Sequence, residues 1–221
     1  GTATLSILGG YYAGEVIGPA FGASFLLART ETVGSENPSE EDDWVAGIEW
    51  AEANDADIVS SSLGYDDWYI PEDHFDGDYA VTTIAADIAA SLGIAVVNAA
   101  GNNGGGYNTL AAPADGDSVI TVGAVSELGT ITSYSSRGPT ADGRIKPDLC
   151  AMGSSPRAAN YASDTSFRNS SGTSSATPLI AGAAALLLQA HPDWDPMTLL
   201  NNLKDSASNR NTPDYAYGWG I

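Results

Sequence analysis

The sequence contains one cysteine, two histidines and eight basic residues, and each of these shortages excludes a class of protein or site. The lone Cys150 excludes an internal disulfide bond and a metal site built from several cysteines. The eight cations stand against 28 acidic residues, so the formal net charge at pH 7 is −20. Because polyanions repel such a chain, we expect neither nucleic acid nor a membrane among its partners.

Long hydrophobic runs are also missing. The sequence has no stretch of about 18 uninterrupted apolar residues, the pattern that predicts a membrane span. The first ten residues, GTATLSILGG, carry no basic segment of the kind that opens a signal peptide, so we expect an export signal upstream of Gly1. The acidic composition suits a saline or extracellular setting, although solubility alone also explains it. A length of 221 residues allows one buried core, and we expect a single domain over 1–221.

Four short apolar segments predict buried β-strands. These segments are residues 24–29, 58–62, 94–98 and 119–125. Two segments with helical spacing of their apolar residues, 39–54 and 80–93, lie between successive strands. The alternation predicts an α/β fold, a three-layer structure in which helices cover both faces of a doubly wound, mostly parallel sheet. Ligands of such sheets bind at the carboxyl ends of the strands.

A hydroxyl-rich turn precedes a long run of alanine and leucine in the segment NSSGTSSATPLIAG. Ser174 in this turn would lie near unpaired N–H groups at the positive end of a helix, where a developing alkoxide is favoured. Gly172 allows a turn that other residues resist, and Pro178 is tolerated in the first helical turn. The alternative is that Thr173, Ser174 or Ser175 only caps the helix.

Asn102 follows the strand predicted at 94–98, in the segment VVNAAGNNGGGYN. A side-chain amide at this position donates hydrogen bonds toward the strand ends, as an oxyanion site requires. A nucleophile and such a donor at adjacent strand ends would form an acyl-transfer site. Alternatively, the sequence Asn-Asn-Gly forms an ordinary turn.

Four motifs together resemble the subtilisin-like serine proteases, or subtilases. They are SSSLG, NAAGNNG, SYSSRGPTADGRIKPDLCAMG and GTSSATPLIAG, which follow the order typical of that family and span nearly the whole chain. The resemblance implies the subtilisin-like α/β fold and hydrolysis of peptide bonds in an extended peptide or protein substrate. It also implies a secreted, extracellular enzyme.

The resemblance assigns roles to individual residues. Ser174 would be the nucleophile, and Asn102 would donate to the oxyanion together with the Ser174 backbone N–H. Substrate would pair with the segment Ser62, Leu63 and Gly64 as an added strand. The pocket for the residue before the scissile bond would be walled by Ala99, Ala100 and Gly101, whose small size leaves room for a bulky apolar or aromatic side chain.

A serine nucleophile needs a base, and the sequence offers only His74 and His191. His191 follows Ser174 by about 17 residues of predicted helix, roughly 25 Å at 1.5 Å per residue, and is too far away. His74 is either a solvated loop residue or a substitute base. The resemblance implies that the family's histidine and aspartate lie upstream of Gly1 and that a closing segment follows Ile221, which makes residues 1–221 part of a catalytic domain.

These observations leave several expectations open. The chain would be a serine endopeptidase with impaired activity and at most weak ester hydrolysis; the alternative is a non-catalytic pseudoprotease that binds peptides along residues 62–64. The place of the family's missing strand would be filled by a bound N-terminal fragment or by a second copy in a homo-oligomer. We expect no cofactor to be required for catalysis. The acidic loop 64–79 is either a plain surface loop or a structural calcium site.

Overall fold

The computed structural model describes residues 1–32, 34 and 37–221. The helices are α1 (Thr2–Gly9), α2 (Ser39–Glu52), α3 (Pro71–His74), α4 (Val81–Ser91), α5 (Thr173–Ala190) and α6 (Pro196–Ser206). The strands are β1 (Tyr11–Tyr12), β2 (Val16–Ile17), β3 (Ile58–Ser61), β4 (Ala95–Ala99), β5 (Ile120–Val125), β6 (Leu149–Met152), β7 (Arg157–Ala159) and β8 (Phe167–Asn169).

The core of the fold is a four-stranded parallel sheet with the order β3-β4-β5-β6. Alternate side chains of β4 enter opposite layers: Val97 packs with Ile120 beneath α5 and α6, whereas Val96 packs with residues of α2 and α4. Helices therefore cover both faces of the sheet. The predicted α/β fold with its doubly wound parallel sheet is confirmed, and three of the four predicted strands are present as β3, β4 and β5.

The fourth prediction, a strand over residues 24–29, is wrong. This segment forms no strand, and Phe25, Leu26 and Leu27 are 38%, 45% and 68% exposed. Within the described part of the chain, no backbone hydrogen bond joins the segment to the sheet. Its side chains pack on helices instead, since the ring of Phe25 covers Gly9 of α1. An apolar sequence becomes a strand only where a neighbouring strand pairs with it, and none does here.

Helix α5 runs across one face of the sheet and contacts all four of its strands. Ala176, Ala181 and Ala184 are buried in this contact, and their small side chains let the helix lie close to the strands. Its 18 residues and mean hydropathy of 1.2 also satisfy the length and composition of a membrane span, with 44% of the helix buried within the protein. Core helices of soluble proteins meet the same criteria. Because α5 packs on all four strands, the sheet fixes the position of its N-terminus.

A cluster of three charged side chains, Lys146, Asp148 and Lys204, joins the segment before β6 to α6. Lys146 Nζ lies 2.7 Å from Asp148 Oδ2 and 2.7 Å from the Val119 oxygen, and Lys204 Nζ lies 2.6 Å from Asp148 Oδ1. Burial opposes ionisation of Asp148, but the two lysines outweigh it and lower the pKa of this carboxyl. Both lysines of the chain therefore form ion pairs with the same carboxylate, that of Asp148.

We expect Asp148→Asn to destabilise the fold by about 3–5 kcal/mol, because the substitution leaves two ammonium groups without their counter-ion. Unfolding in urea, followed by circular dichroism, measures this loss. The control is Asp193→Asn, which removes an exposed carboxylate and should change the free energy of unfolding by less than about 0.5 kcal/mol. Equal stability of the two variants would contradict the structural role of the cluster.

Candidate active site

The N-terminus of α5 presents three hydroxyl side chains, and only one of them is accessible. Thr173 and Ser175 are buried, with 0% and 2% of their surfaces exposed, while Ser174 between them is partly exposed. Gly172 occupies the N-cap position with a φ of 135°, in a backbone region that other residues rarely adopt, so none of the three hydroxyl residues is the N-cap. The alternative that one of these hydroxyls is merely a cap is therefore wrong.

Ser174 and Ser62 are held together by two hydrogen bonds. Ser174 Oγ donates to the backbone oxygen of Ser62 across 3.1 Å, and Ser62 Oγ donates to the backbone oxygen of Ser174 across 2.9 Å. A carbonyl oxygen accepts the hydroxyl hydrogen bond but does not act as a base. The structure thus places the hydroxyl of Ser174 beside the segment that follows β3.

Asn102 lies against the first turn of α5. Its Oδ1 accepts hydrogen bonds from the Thr173 N–H at 2.9 Å and from the Thr173 hydroxyl at 3.2 Å. This pairing orients the amide, and Asn102 Nδ2 makes no hydrogen bond to protein among the residues that the structure describes. The side chain is exposed, so its NH2 group is available to a ligand. These contacts bring Asn102 and Ser174 to the same end of the sheet.

The other predicted binding residues flank these two. Leu63 accepts a hydrogen bond at its backbone oxygen from Asn98 Nδ2 at 3.1 Å, and Gly64 lies so close to Ala111 that an added Cβ would approach within 2.8 Å. On the opposite side, Ala99 and Ala100 are buried and Gly101 is partly exposed. The segments 62–64 and 99–101 both lie at the carboxyl ends of their strands and contact the first turn of α5, Ser62 through Ser174 and Gly101 through the Thr173 hydroxyl, which donates to the Gly101 oxygen at 3.1 Å.

Neither histidine contacts Ser174. His191 ends α5 at the opposite end from Ser174 and stacks on Trp194 at 4.1 Å, as the helical distance predicted. His74 ends α3, accepts a hydrogen bond from the Ile70 N–H through Nδ1, and stacks on Tyr79 at 4.0 Å. These are the only two histidines of the sequence. In this structure neither histidine is positioned to act as the base for Ser174.

Cys150 does not compete with Ser174 as a nucleophile. The side chain is buried within β6, and this burial raises the pKa of the thiol to about 12. A thiol that stays protonated at neutral pH is unreactive. Its position agrees with its interpretation as a small core residue.

Two acidic residues, Glu41 of α2 and Asp66 of the loop after β3, make contacts that the sequence did not predict. Glu41 of α2 is buried, and its carboxylate accepts hydrogen bonds from Trp68 Nε1 at 2.7 Å and from the Tyr69 hydroxyl at 2.7 Å. Burial and the Glu41 carboxylate raise the pKa of Tyr69 to about 12. Asp66 accepts a hydrogen bond from the side-chain amide of Asn103. The proximity of Asp66 to the SSSLG motif was the available signal for its position.

Metal binding in the acidic loop stays a prediction. Over residues 1–32, 34 and 37–221, no group of three or more histidine, cysteine, aspartate or glutamate side chains is arranged to hold a metal ion.

Comparison with known proteins decides the family. The sequence model of the subtilase family of peptidases matches residues 1–220. The chain belongs to the subtilase family. Among curated relatives, serine protease AprX of Bacillus subtilis (strain 168) is 38% identical over 218 residues, which cover 87% of this chain and 48% of AprX. Subtilisin DY of Bacillus licheniformis is 38% identical over 181 residues, which cover 80% of this chain and 58% of that protein.

Solved structures agree with the subtilase fold. The self-cleaved protease domain of PatA superimposes with a TM-score of 0.77 at 29% identity, covering 94% of this chain and 74% of that one. The chain spans about half the length of the curated subtilases it matches. Family membership therefore supports serine endopeptidase chemistry.

Proposed function

We propose that this chain carries the nucleophile and the oxyanion site of a secreted serine endopeptidase. The observation that supports this function is the selective exposure of Ser174 beside Asn102, with the Thr173 N–H fixing the orientation of the amide. A pseudoprotease that only binds peptides would not require an accessible hydroxyl next to an unpaired amide donor. The net charge of −20 is compatible with the extracellular setting that we propose.

The proposed reaction is acyl transfer through Ser174. Its Oγ attacks the carbonyl carbon of the scissile bond while a base removes the hydroxyl proton. The resulting oxyanion accepts hydrogen bonds from Asn102 Nδ2 and from the Ser174 N–H, one of the amides in the first helical turn that lack a partner within the helix. Collapse of this intermediate expels the amine, which takes the proton back from the base, and leaves an acyl-enzyme that water then hydrolyses.

We further propose that the base, and the carboxylate that orients it, come from polypeptide other than these 221 residues. This proposal is supported by the two histidines, neither of which contacts Ser174. It is also supported by the outer position of β3 in the sheet, since its unpaired edge is open to an added strand. A bound N-terminal fragment is one source, and a second copy of the chain is the other. The protease domain of the PatA relative is described as self-cleaved, which is compatible with cleavage in a member of this family.

Reaction with a fluorophosphonate probe tests the nucleophile. We expect Ser174 to be labelled in a preparation that contains the polypeptide supplying the base; without the base, labelling and hydrolysis of activated esters should be slow and peptide-bond hydrolysis nearly absent. In subtilisin, loss of the base alone lowers kcat by about 10⁶. Ser174→Ala should abolish labelling and ester hydrolysis, while Ser175→Ala, whose hydroxyl bonds to Ser170, should retain both. Peptide binding without any labelling would instead support the pseudoprotease.

Substitution of Asn102 tests the oxyanion site. We expect Asn102→Ala to lower the rate of ester hydrolysis by about 10²–10³, because one donor to the developing negative charge is lost. Initial rates at several substrate concentrations should show the loss in kcat rather than in KM. Asn202→Ala, on the exposed side of α6, is the control and should leave the rate unchanged. A rate for Asn102→Ala within twofold of the unaltered chain would remove Asn102 from the mechanism.

Intact-mass spectrometry combined with light scattering tests the source of the base. We expect the folded sample to contain either a second, smaller polypeptide or two copies of the chain, since β3 exposes an unpaired strand edge. Mass spectrometry separates these two outcomes, because a fragment has a mass of its own. A folded particle with the mass of one 221-residue chain would contradict both.

A further inference from the structure

We propose that Asp66 makes the substrate cleft selective for a cationic side chain, lysine or arginine, on the residue that precedes the scissile bond. The inference rests on the proposed function, because it assigns specificity to the same cleft. Sequence alone favoured a bulky apolar or aromatic side chain at this position, on the basis of the small residues that wall the pocket.

The substrate cleft that we propose lies between the segments 62–64 and 99–101, and Asp66 follows the first of these segments by two residues. Tyr65, which precedes it, exchanges two backbone hydrogen bonds with Ala112, from the Tyr65 N–H to the Ala112 oxygen at 2.9 Å and in return at 3.0 Å. Gly64 lies against Ala111, the neighbour of Ala112. The chain between β3 and Asp66 is therefore fixed, and Asp66 extends the 62–64 side of the cleft.

Asp66 also contacts the turn that follows β4. Its carboxylate accepts a hydrogen bond from the side chain of Asn103, which directly follows Asn102. The Asn103 N–H in turn donates to Ser136 Oγ at 3.0 Å, so the turn that carries both asparagines is itself held in place. The Asp66–Asn103 contact thus links the segment after β3 to the turn after β4, near the proposed oxyanion donor.

The surroundings of this carboxylate favour a positive charge. No ion pair in the described residues, 1–32, 34 and 37–221, includes Asp66. The side chain is partly buried, and this burial raises its pKa, as does the neighbouring Asp67, while the Asn103 hydrogen bond lowers it. A cationic ligand would offset both the loss of solvation of the Asp66 carboxylate and its repulsion by Asp67. The walls of the cleft, Ala99 to Gly101 and Ala111, contribute no charge of their own.

An equilibrium binding experiment on the full chain tests this inference without requiring catalysis. The ligands are two fluorescent, N-acylated tetrapeptides that end in arginine or in citrulline, an uncharged side chain of nearly the same shape. We expect the arginine peptide to bind about tenfold more tightly, measured by fluorescence anisotropy at low salt. Asp66→Asn should reduce this ratio to less than twofold, with the affinity for the citrulline peptide unchanged.

Asp67→Asn is the matched control, since it removes the same charge from the adjacent, exposed position and should retain the preference. Its comparison with Asp66→Asn separates a local contact from attraction by the overall negative charge. On the unaltered chain, the side-chain carboxyl ¹³C resonance of Asp66 should shift with the arginine peptide and not with the citrulline peptide. This measurement does not depend on the folding of any variant.

Equal affinities for the two peptides, no measurable binding of either, an unshifted Asp66 resonance, or a preference that survives in Asp66→Asn would each overturn the inference. These results are distinguishable from failure of the proposed function. Labelling of Ser174 without a preference for arginine overturns only the assignment of Asp66. A preference for arginine without labelling overturns only the proposed catalysis.

Discussion

A hydrogen bond from the Thr173 N–H to Asn102 Oδ1, 2.9 Å long, joins the turn after β4 to the first turn of α5. It uses an N–H group that has no partner within the helix, and it determines which end of the Asn102 amide faces outward. Because β4 is buried along its whole length and α5 is packed across the sheet, the two elements joined by this bond are both rigid. The relative position of Ser174 and Asn102 follows from it, and so does every role that we propose for them.

The position of the Ser174 hydroxyl also depends on β3, the outer strand of the sheet. The carboxyl end of β3 continues into Ser62, whose backbone oxygen accepts the hydrogen bond of the Ser174 hydroxyl. Polypeptide that paired with the open edge of β3 would therefore run toward the nucleophile. In our proposal, completion of the sheet and completion of the catalytic group are therefore coupled, because the added polypeptide pairs with the strand that leads to Ser174.

Much of the fold could be predicted from the sequence because a parallel strand buried on both faces is apolar along its whole length, as at 94–98 and 119–125. Residues 24–29 are similarly apolar, yet they form no strand. Strand formation requires a second strand to pair with, and the sequence of the segment itself does not show whether one is present. Strand β6 was missed because LCAM is short and follows a proline-containing turn. At the site, local chemistry left Ser174 undecided between nucleophile and cap until the resemblance to a family was added. Asp66 was interpreted only as part of the acidic loop and its possible calcium site, because its partner, Asn103, is distant in sequence.

Glu41 has a consequence for how this protein changes over evolutionary time. This one buried carboxylate accepts hydrogen bonds from Trp68, Tyr69 and Thr82. It therefore anchors the loop after β3 to α2 and α4. The residues that anchor the loop are thus different from Asp66, to which we assign substrate selectivity. Under that proposal, mutations at position 66 change substrate preference while Glu41 and Ser174 keep their places, so related chains with the same chemistry can differ in the substrates that they prefer.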